Sequence, residues 1–233
     1  MIYAMADIHG EYQKYLDLLK QIHFNDNDTL YVLGDVVDRG KEPVPLLKDM
    51  ASRCNVYPIL GNHELMAMDI LQQLSVEITE DNHATQIDEE LMGHIMEWQL
   101  NGGTTTASGF QKLPVQQRRD LLDYLADFAL YETIDVGDNT FILTHAGLNN
   151  FAQAKALRDY SVTDLTMGRF NYDKQYFDDP SIYIVTGHTP TQHITGKAEM
   201  YINGNNINID CGAGFPGGRL CCLCLNNLQA FYA

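Results

Sequence analysis

Short apolar runs alternate with segments of helical periodicity over the first quarter of the chain. Apolar positions predict strands at residues 2–6, 29–33 and 56–60, and each run stops at a polar or glycine-containing turn. Helical spacing predicts helices over 12–22 and 43–51, the second with a proline near its first turn. This alternation is typical of parallel strands joined by crossover helices. We therefore expect an α/β fold in which these three strands are parallel.

The rest of the chain predicts a helical middle followed by short strands. Predicted helices begin near residue 63 and cover 88–100 and 114–129, and residues 149–180 are interpreted as helix and loop. Predicted strands cover 131–136, 140–143 and 182–186. Four further short strands are predicted at 200–202, 207–209, 220–225 and 228–232. This tail predicts a mixed or antiparallel second sheet. Since no repeat or linker interrupts the chain, we expect a single domain over residues 1–233.

Five polar runs, each containing glycine or another small residue, lie in order along the chain. They are residues 7–10 (DIHG), 34–40 (GDVVDRG), 61–64 (GNHE), 144–147 (THAG) and 187–189 (GHT). Carboxylate and amide oxygens mixed with imidazole are the ligands that a pair of divalent transition ions prefers. Asp7, Asp35 and Asn62 each follow a predicted strand, and the carboxyl ends of parallel strands meet at one edge of a sheet. The pattern predicts a dinuclear metal site and hence an enzyme.

The remaining motifs have simpler interpretations. The histidines outside the polar runs are interpreted as surface or packing residues; they are His23, His83, His94 and His193. Residues 212–217 (GAGFPG) fit a dinucleotide-binding pattern by letter, but they contain a proline and lead into a strand instead of a helix. We interpret this run as a tight turn.

The charge and apolar content of the chain limit which classes of partner and which cellular compartment we expect. The formal net charge is −16 and the longest basic run is Arg118-Arg119, so nucleic acid and anionic membrane surfaces are disfavoured as partners. No apolar run has the length that crosses a bilayer, and Asp7 and His9 come too early for a signal peptide. We therefore expect a cytoplasmic protein. The five cysteines are expected to be reduced thiols that fill buried strand positions.

Taken together, the five polar runs resemble the motifs of the metallophosphoesterase superfamily. More narrowly they resemble its phosphoprotein phosphatase (PPP) family, of the bacterial and bacteriophage serine/threonine protein phosphatase type. Residues 98–103 (WQLNGG), 168–170 (GRF) and 209–212 (IDCG) extend the likeness over nearly the whole chain. The resemblance implies a calcineurin-like, four-layer sandwich. In this fold helices flank two mixed β-sheets, and the active site lies at the strand carboxyl ends.

The resemblance also implies a role for each site residue. The implied metal ligands are Asp7, His9, Asp35, Asn62, His145 and His188, with Asp35 bridging two divalent ions. Manganese is favoured, and iron, zinc or nickel are alternatives because ion selectivity depends on geometry and availability. A hydroxide that bridges the ions is implied as the nucleophile. His63 is implied as the general acid oriented by Asp38, and Arg39 as a phosphate ligand. Arg169 is the candidate second arginine, with Arg158 as the alternative.

The resemblance predicts a hydrolase acting on phosphoric ester bonds. We expect a metal-dependent phosphomonoesterase that acts on phosphoserine or phosphothreonine in proteins, or else on small phosphoesters. The alternative is a dinucleoside polyphosphate (diadenosine tetraphosphate) hydrolase, and Glu64 favours the phosphatase because such hydrolases usually resemble GNHD at residues 61–64. A non-catalytic binding domain is disfavoured because every ligand position holds a suitable residue. The oligomeric state is not indicated by the sequence.

Overall fold

Ten strands and eight helices form the part of the chain that the computed structural model describes, residues 1–75 and 89–233. The strands are β1 (Ile2–Met5), β2 (Thr29–Leu33), β3 (Val56–Ile59), β4 (Tyr131–Val136), β5 (Asn139–Thr144), β6 (Ile182–Thr186), β7 (Tyr201–Asn203), β8 (Asn206–Asn208), β9 (Cys221–Cys224) and β10 (Gln229–Tyr232). The helices are α1 (Tyr12–Gln21), α2 (Pro43–Ser52), α3 (Asn62–Leu74), α4 (Glu89–Leu100), α5 (Thr104–Gln111), α6 (Val115–Ala126), α7 (Val162–Thr166) and α8 (Gln192–Thr195).

The first sheet has the strand order β10-β9-β1-β2-β3. Its β1, β2 and β3 are parallel, as the alternation of strands and helices predicts, with Ile2 paired to Thr29 and Leu30 paired to Val56. Strand β9 adds to β1 in the antiparallel direction, and β10 pairs with β9. The sheet is therefore mixed, and its parallel half ends at the runs that hold Asp7, Asp35 and Asn62.

The second sheet has the order β4-β5-β6-β8-β7 and is also mixed. Its central β5 and β6 are parallel. Strand β5 ends next to His145, and strand β6 ends directly before the run that holds His188. The predicted mixed second sheet is present, but only half of the strands predicted in the tail belong to it. Strands β7 and β8 complete the second sheet, whereas β9 and β10 join the first. Apolar alternation shows that a segment is a strand but does not encode which strand it pairs with.

Three apolar clusters hold these layers together. Residues from both sheets form the central one, with Leu33, Phe141, Val185 and Leu223 among its buried members. Helices α1 to α6 cover the outer face of the first sheet, and a cluster from residues 148–184 covers the second. This arrangement confirms the predicted α/β fold of two mixed sheets flanked by helices.

Most predicted elements are present, with boundaries that agree to within three residues. Helix α5 was not predicted, because three consecutive threonines and a glycine have low helix propensity. Its burial of Thr106 and Phe110 supplies the stability that propensity lacks. The predicted helix start at Asp88 and the interpretation of His83 lie outside the described residues.

Two compositional expectations can be compared with the fold. All five cysteines carry free thiols, and four of them are buried, whereas Cys54 is exposed. Within residues 1–75 and 89–233, no helix has the length and apolar character needed to cross a bilayer.

Candidate active site

The loops after the strands adopt backbone conformations that most side chains avoid. Among the described residues, nine that are not glycine have a positive φ, and six of these are predicted site residues. The six are Asp7, His9, Asp35, Asp38, Arg39 and His188, with φ between 48° and 71°. Such conformations each cost about 1 kcal/mol or more, and they persist where the surrounding structure fixes them. The strain therefore concentrates at the loops that carry the polar runs.

Three ligand atoms converge between the ends of β3, β5 and β6. Asn62 Oδ1 lies 3.0 Å from His145 Nε2 and 2.9 Å from His188 Nδ1. His145 Nδ1 is 2.7 Å from the carbonyl of Leu33 and donates to it, so His145 Nε2 presents its lone pair to the group. Asp35 Oδ1 lies 3.4 Å from the same nitrogen. Three polar atoms this close to one another, two of them acceptors, fit a shared cation.

A second group of ligand atoms lies on the other side of Asp35. His9 Nε2 is 3.7 Å from Asp35 Oδ2, and His9 Nδ1 is 2.9 Å from the carbonyl of Val37, to which it donates. His63 Nε2 lies 3.9 Å from the same carboxylate oxygen. Asp35 therefore faces the two groups with its two different oxygens. This division would allow the carboxylate to bridge two ions.

Asp7 has a different set of contacts from the other predicted ligands. It is buried, and both its oxygens accept hydrogen bonds from the amide of His188, at 3.1 and 2.9 Å. The ligand atoms that converge on Asp35 come from His9, His63, His145 and His188. The role of Asp7 as a ligand of the first ion stays a prediction.

The charges of these groups suit metal binding. Burial lowers the pKa of His9 to about 3 and that of His188 to about 4, so both imidazoles are neutral at pH 7, which is the metal-binding form. Burial by itself would raise the pKa of Asp35. Three nearby imidazoles outweigh this effect and hold the pKa of Asp35 below its usual value; they belong to His145, His63 and His9. Neutral imidazoles, one ionised carboxylate and an amide oxygen form a donor set that fits divalent transition ions.

Asp38 and His63 form a hydrogen-bonded pair beside the ligand groups. His63 Nδ1 is 2.7 Å from Asp38 Oδ2, and Asp38 is fully buried. Asp38 also accepts from Trp98 Nε1 at 2.9 Å and from the Thr106 hydroxyl at 2.6 Å. Burial opposes protonation, yet Asp35 and Asp38 raise the pKa of His63 above its usual value. Trp98 and Thr106 thus fix the carboxylate, and the carboxylate fixes the imidazole of His63 with Nε2 directed toward Arg39.

Arg39 lies across the two imidazoles. Its Nη1 is 2.6 Å from His9 Nε2, and its Nη2 is 3.1 Å from His63 Nε2. The two guanidinium nitrogens therefore reach both the first ligand group and the Asp38–His63 pair. A planar fork of donors at this position matches the geometry of a phosphoryl group.

A cavity of about 250 Å³ opens over these groups. Its lining residues are Asp35, Arg39, Asn62, His63, Asn101, Arg169, His188, Pro190, His193 and Phe215. Arg169 lies in the cavity wall and donates to the Thr189 hydroxyl at 3.1 Å. The side chain of Arg158 is 84 % exposed and is absent from the lining. The cavity therefore favours Arg169 over Arg158 as the second arginine.

Several residues that support the site are not among those predicted from the sequence. The interpretation of His193 as a surface or packing residue is incomplete, because this exposed histidine lines the cavity. Phe215 also lines it, although its run was interpreted only as a turn. Trp98 and Thr106 bind Asp38 across 60 and 68 residues of chain. For Trp98 a signal existed, since it belongs to a segment that carries the family resemblance.

Glu64 holds the loops together and does not face the cavity. Its carboxylate is fully buried and accepts from the amides of Asp35, Val36, Val37 and Gly61 at 2.7–3.1 Å. Burial raises its pKa to about 7. The inference of a protein substrate from Glu64 therefore has no support in its contacts, because the side chain cannot reach a substrate.

Shortening this side chain should lower stability without changing substrate preference. In Glu64→Asp the carboxylate cannot reach both loops, and each buried amide left without an acceptor costs about 1–3 kcal/mol. We expect the free energy of unfolding, measured in urea, to fall by about 2 kcal/mol or more. The ratio of kcat/KM between a phosphopeptide and diadenosine tetraphosphate should stay within about two-fold. A changed ratio at unchanged stability would show that Glu64 does influence the substrate.

The family follows from a match over most of the chain. Residues 1–213 match the family model of the calcineurin-like phosphoesterases. The matched range includes all five polar runs. The chain belongs to the calcineurin-like phosphoesterase family. The narrower assignment to the PPP branch stays a prediction.

The curated relatives of this calcineurin-like phosphoesterase include several symmetrical bis(5'-nucleosyl)-tetraphosphatases. It is 30 % identical over 98 residues to a symmetrical bis(5'-nucleosyl)-tetraphosphatase from Erwinia tasmaniensis, covering 41 % of this chain and 36 % of that protein. The chain thus spans about a third of the length of the curated relatives it matches.

Solved structures show the same fold. A candidate diadenosine tetraphosphatase superimposes with a TM-score of 0.67 at 19 % identity, covering 100 % of this chain and 92 % of that chain. A protein serine/threonine phosphatase from Saccharomyces cerevisiae gives a TM-score of 0.57 at 12 % identity, covering 100 % and 78 %. At these identities the superpositions support the fold alone.

Proposed function

We propose that this chain is a metal-dependent hydrolase of phosphoric esters with two divalent ions in its site. The observation that carries the proposal is Asp35, whose two oxygens face two separate groups of ligand atoms. Bound there, two ions would supply the charge that activates water and neutralises a phosphoryl group. His9 and Asp35, with Asp7, would hold one ion, and Asp35, Asn62, His145 and His188 the other. Manganese is the ion we expect first.

Arg39 and His63 would act on the substrate itself. A metal ion on His9 Nε2 would take the lone pair that Arg39 Nη1 now contacts, which frees this donor for a phosphoryl oxygen. His63, with Nδ1 held by Asp38, would carry a proton on Nε2 and give it to the leaving oxygen. Arg169 would bind the phosphoryl group from the cavity wall.

The proton donor favours an ester with a poor leaving group. Asp38 is held by Trp98 and Thr106 and has no exposed surface, so the His63 imidazole that it binds is oriented before substrate binds. An alkoxide such as that of serine or threonine needs a proton as it leaves, whereas a terminal nucleotide phosphate leaves as a stable anion. We therefore propose phosphoserine or phosphothreonine in proteins as the substrate.

Dinucleoside polyphosphates are the second candidate. They are favoured by the sequence similarity to symmetrical bis(5'-nucleosyl)-tetraphosphatases. The cavity also offers Arg39, Arg169 and His193 to an extended chain of phosphates.

A single comparison separates the two candidates. We expect kcat/KM for a phosphothreonine peptide, measured with Mn²⁺, to exceed that for diadenosine tetraphosphate by at least about ten-fold, which equals about 1.4 kcal/mol in transition-state stabilisation. An EDTA-treated sample and the Asp35→Asn variant give the blanks. A preference for the dinucleotide would establish the second candidate. Absence of metal-dependent turnover of both, and of p-nitrophenyl phosphate, would contradict the proposed chemistry.

A further inference from the structure

Phe215 lies against the guanidinium of Arg39 at the mouth of the cavity. The Arg39 Cζ atom is 4.5 Å from the centre of the Phe215 ring, and the phenylalanine is 42 % exposed. We propose that Phe215 is a positioning residue for Arg39 and, through it, for the phosphoryl group. This inference rests on the proposed function, in which Arg39 binds phosphate.

The inner part of Arg39 is already fixed by two glycines from distant parts of the chain. Arg39 has a φ of 63°, and its amide donates to the Gly102 carbonyl at 3.0 Å. A Cβ atom at Gly102 would lie 2.7 Å from Arg39 Cγ, and one at Gly214 would lie 3.2 Å from Arg39 Cδ. Only residues without side chains permit this approach. The backbone and the aliphatic chain therefore have little freedom, and the planar end is the part left to be oriented.

The loop that carries Phe215 is itself anchored. Lys14 Nζ, on α1, donates to the carbonyl of Ala213 at 2.8 Å and to that of Gly218 at 3.3 Å. Inside the loop the Phe215 amide donates to the Gly212 carbonyl at 2.9 Å, and the Gly218 amide donates to the Phe215 carbonyl at 3.0 Å. The ring is thus presented to Arg39 by a tight turn that is held at both sides.

An aromatic face suits a guanidinium that must change its hydrogen-bond partners. Arg39 now donates to the Nε2 atoms of His9 and His63. In the proposed reaction His9 Nε2 would bind a metal ion and His63 Nε2 would carry the proton, so Arg39 must release both. The contact places the guanidinium over the face of the Phe215 ring and uses no hydrogen-bond acceptor, so the N–H donors of Arg39 stay available. An arginine held in this way loses less conformational entropy when phosphate binds.

A double-mutant cycle tests the coupling between the ring and the arginine. The variants are Phe215→Leu, Phe215→Tyr, Arg39→Gln and the combination of Phe215→Leu with Arg39→Gln. Binding of inorganic phosphate to the Mn²⁺-loaded protein is measured by calorimetry, and kcat and KM are measured with p-nitrophenyl phosphate. Since an exposed cation–π contact contributes about 0.5–1 kcal/mol, Phe215→Leu should weaken phosphate binding about two- to five-fold. With p-nitrophenyl phosphate, Phe215→Leu should raise KM and change kcat little. Phe215→Tyr keeps an aromatic ring and should bind phosphate like the wild type.

The decisive result is the effect of Phe215→Leu in the Arg39→Gln background. We expect no further loss of phosphate affinity there, because glutamine carries no cation for the ring to attract. Equal losses in both backgrounds, or no loss in either, would overturn the inference. Tyr57→Leu, which removes an exposed ring outside the cavity, is the matched control and should bind phosphate like the wild type.

The failure of this inference can be told apart from failure of the proposed function. A wild-type protein that binds phosphate but hydrolyses no ester would contradict the proposed function, and the calorimetric cycle would still decide the role of Phe215. A wild-type protein that hydrolyses the ester while the cycle is additive would contradict the inference alone. A metal-loaded protein that binds no phosphate would contradict both.

Discussion

The Asp35→Asn variant should lose both metal ions together and, with them, all hydrolytic activity. Asp35 is buried, and its Oδ1 and Oδ2 face different ligand groups, at 3.4 Å from His145 and 3.7 Å from His9. The amide of His63 donates to Oδ1 at 3.0 Å, so an asparagine would keep its oxygen there and turn its NH₂ group toward His9. One group would then face a donor in place of an acceptor, and both would lose the negative charge.

Metal content per chain, measured by atomic emission after dialysis against Mn²⁺, checks this expectation. Both equivalents should fall in parallel, and hydrolysis of p-nitrophenyl phosphate should fall by at least about 10³-fold, consistent with several kcal/mol of charge stabilisation by the ions. Asp28→Asn is the matched control, since Asp28 is a buried carboxylate that binds the N-terminus outside the cavity. Retention of one full equivalent in Asp35→Asn would refute the bridging role.

The His63→Asn variant should keep its metal ions but lose most of its activity on alkyl phosphates. His63 Nδ1 is bound to Asp38, and general acid catalysis contributes about 10²–10⁴-fold to the rate. We expect kcat for a phosphoserine or phosphothreonine peptide to fall within that range. With p-nitrophenyl phosphate the loss should be about ten-fold or less, because this leaving group hardly needs a proton.

Two outcomes would contradict the role of His63. Equal losses on the alkyl and aryl substrates would show that the imidazole does not protonate the leaving group. Loss of a metal ion would show that His63 is a ligand. Its Nε2 lies 3.9 Å from Asp35 Oδ2, close enough for both atoms to bind the same ion. His94→Asn, which alters an exposed histidine on α4, is the control and should leave both rates unchanged.

Local patterns predicted the order of elements and the loops that carry the chemistry. Each parallel strand is a short apolar run that stops at a polar turn, and the period of two or 3.6 residues is a property of neighbouring positions. Asp35, Asn62, His145 and His188 could be selected because their runs follow such strands. The structure brings their ligand atoms together, as the edge of a parallel sheet requires.

Other contacts join residues whose sequence neighbourhoods say nothing about each other. Glu64 belongs to one of the polar runs, yet its carboxylate binds only backbone amides, four of them from two loops. Arg169 and Arg158 are equally plausible from sequence, and only the fold places the first in the cavity wall. Helix α5 shows the same limit, because burial of Phe110 outweighs poor helix propensity.

The sequence by itself determined the α/β class, the parallel strand order at the start of the chain and the candidate ligand set. It could do so because strand periodicity, turn residues and ligand type are each encoded within a few positions. Tertiary structure alone decided that β9 and β10 join the first sheet, that Trp98 and Thr106 hold Asp38, and that Phe215 covers Arg39. These features depend on which surfaces pack together across 60 or more residues of chain, and packing is a property of the whole fold.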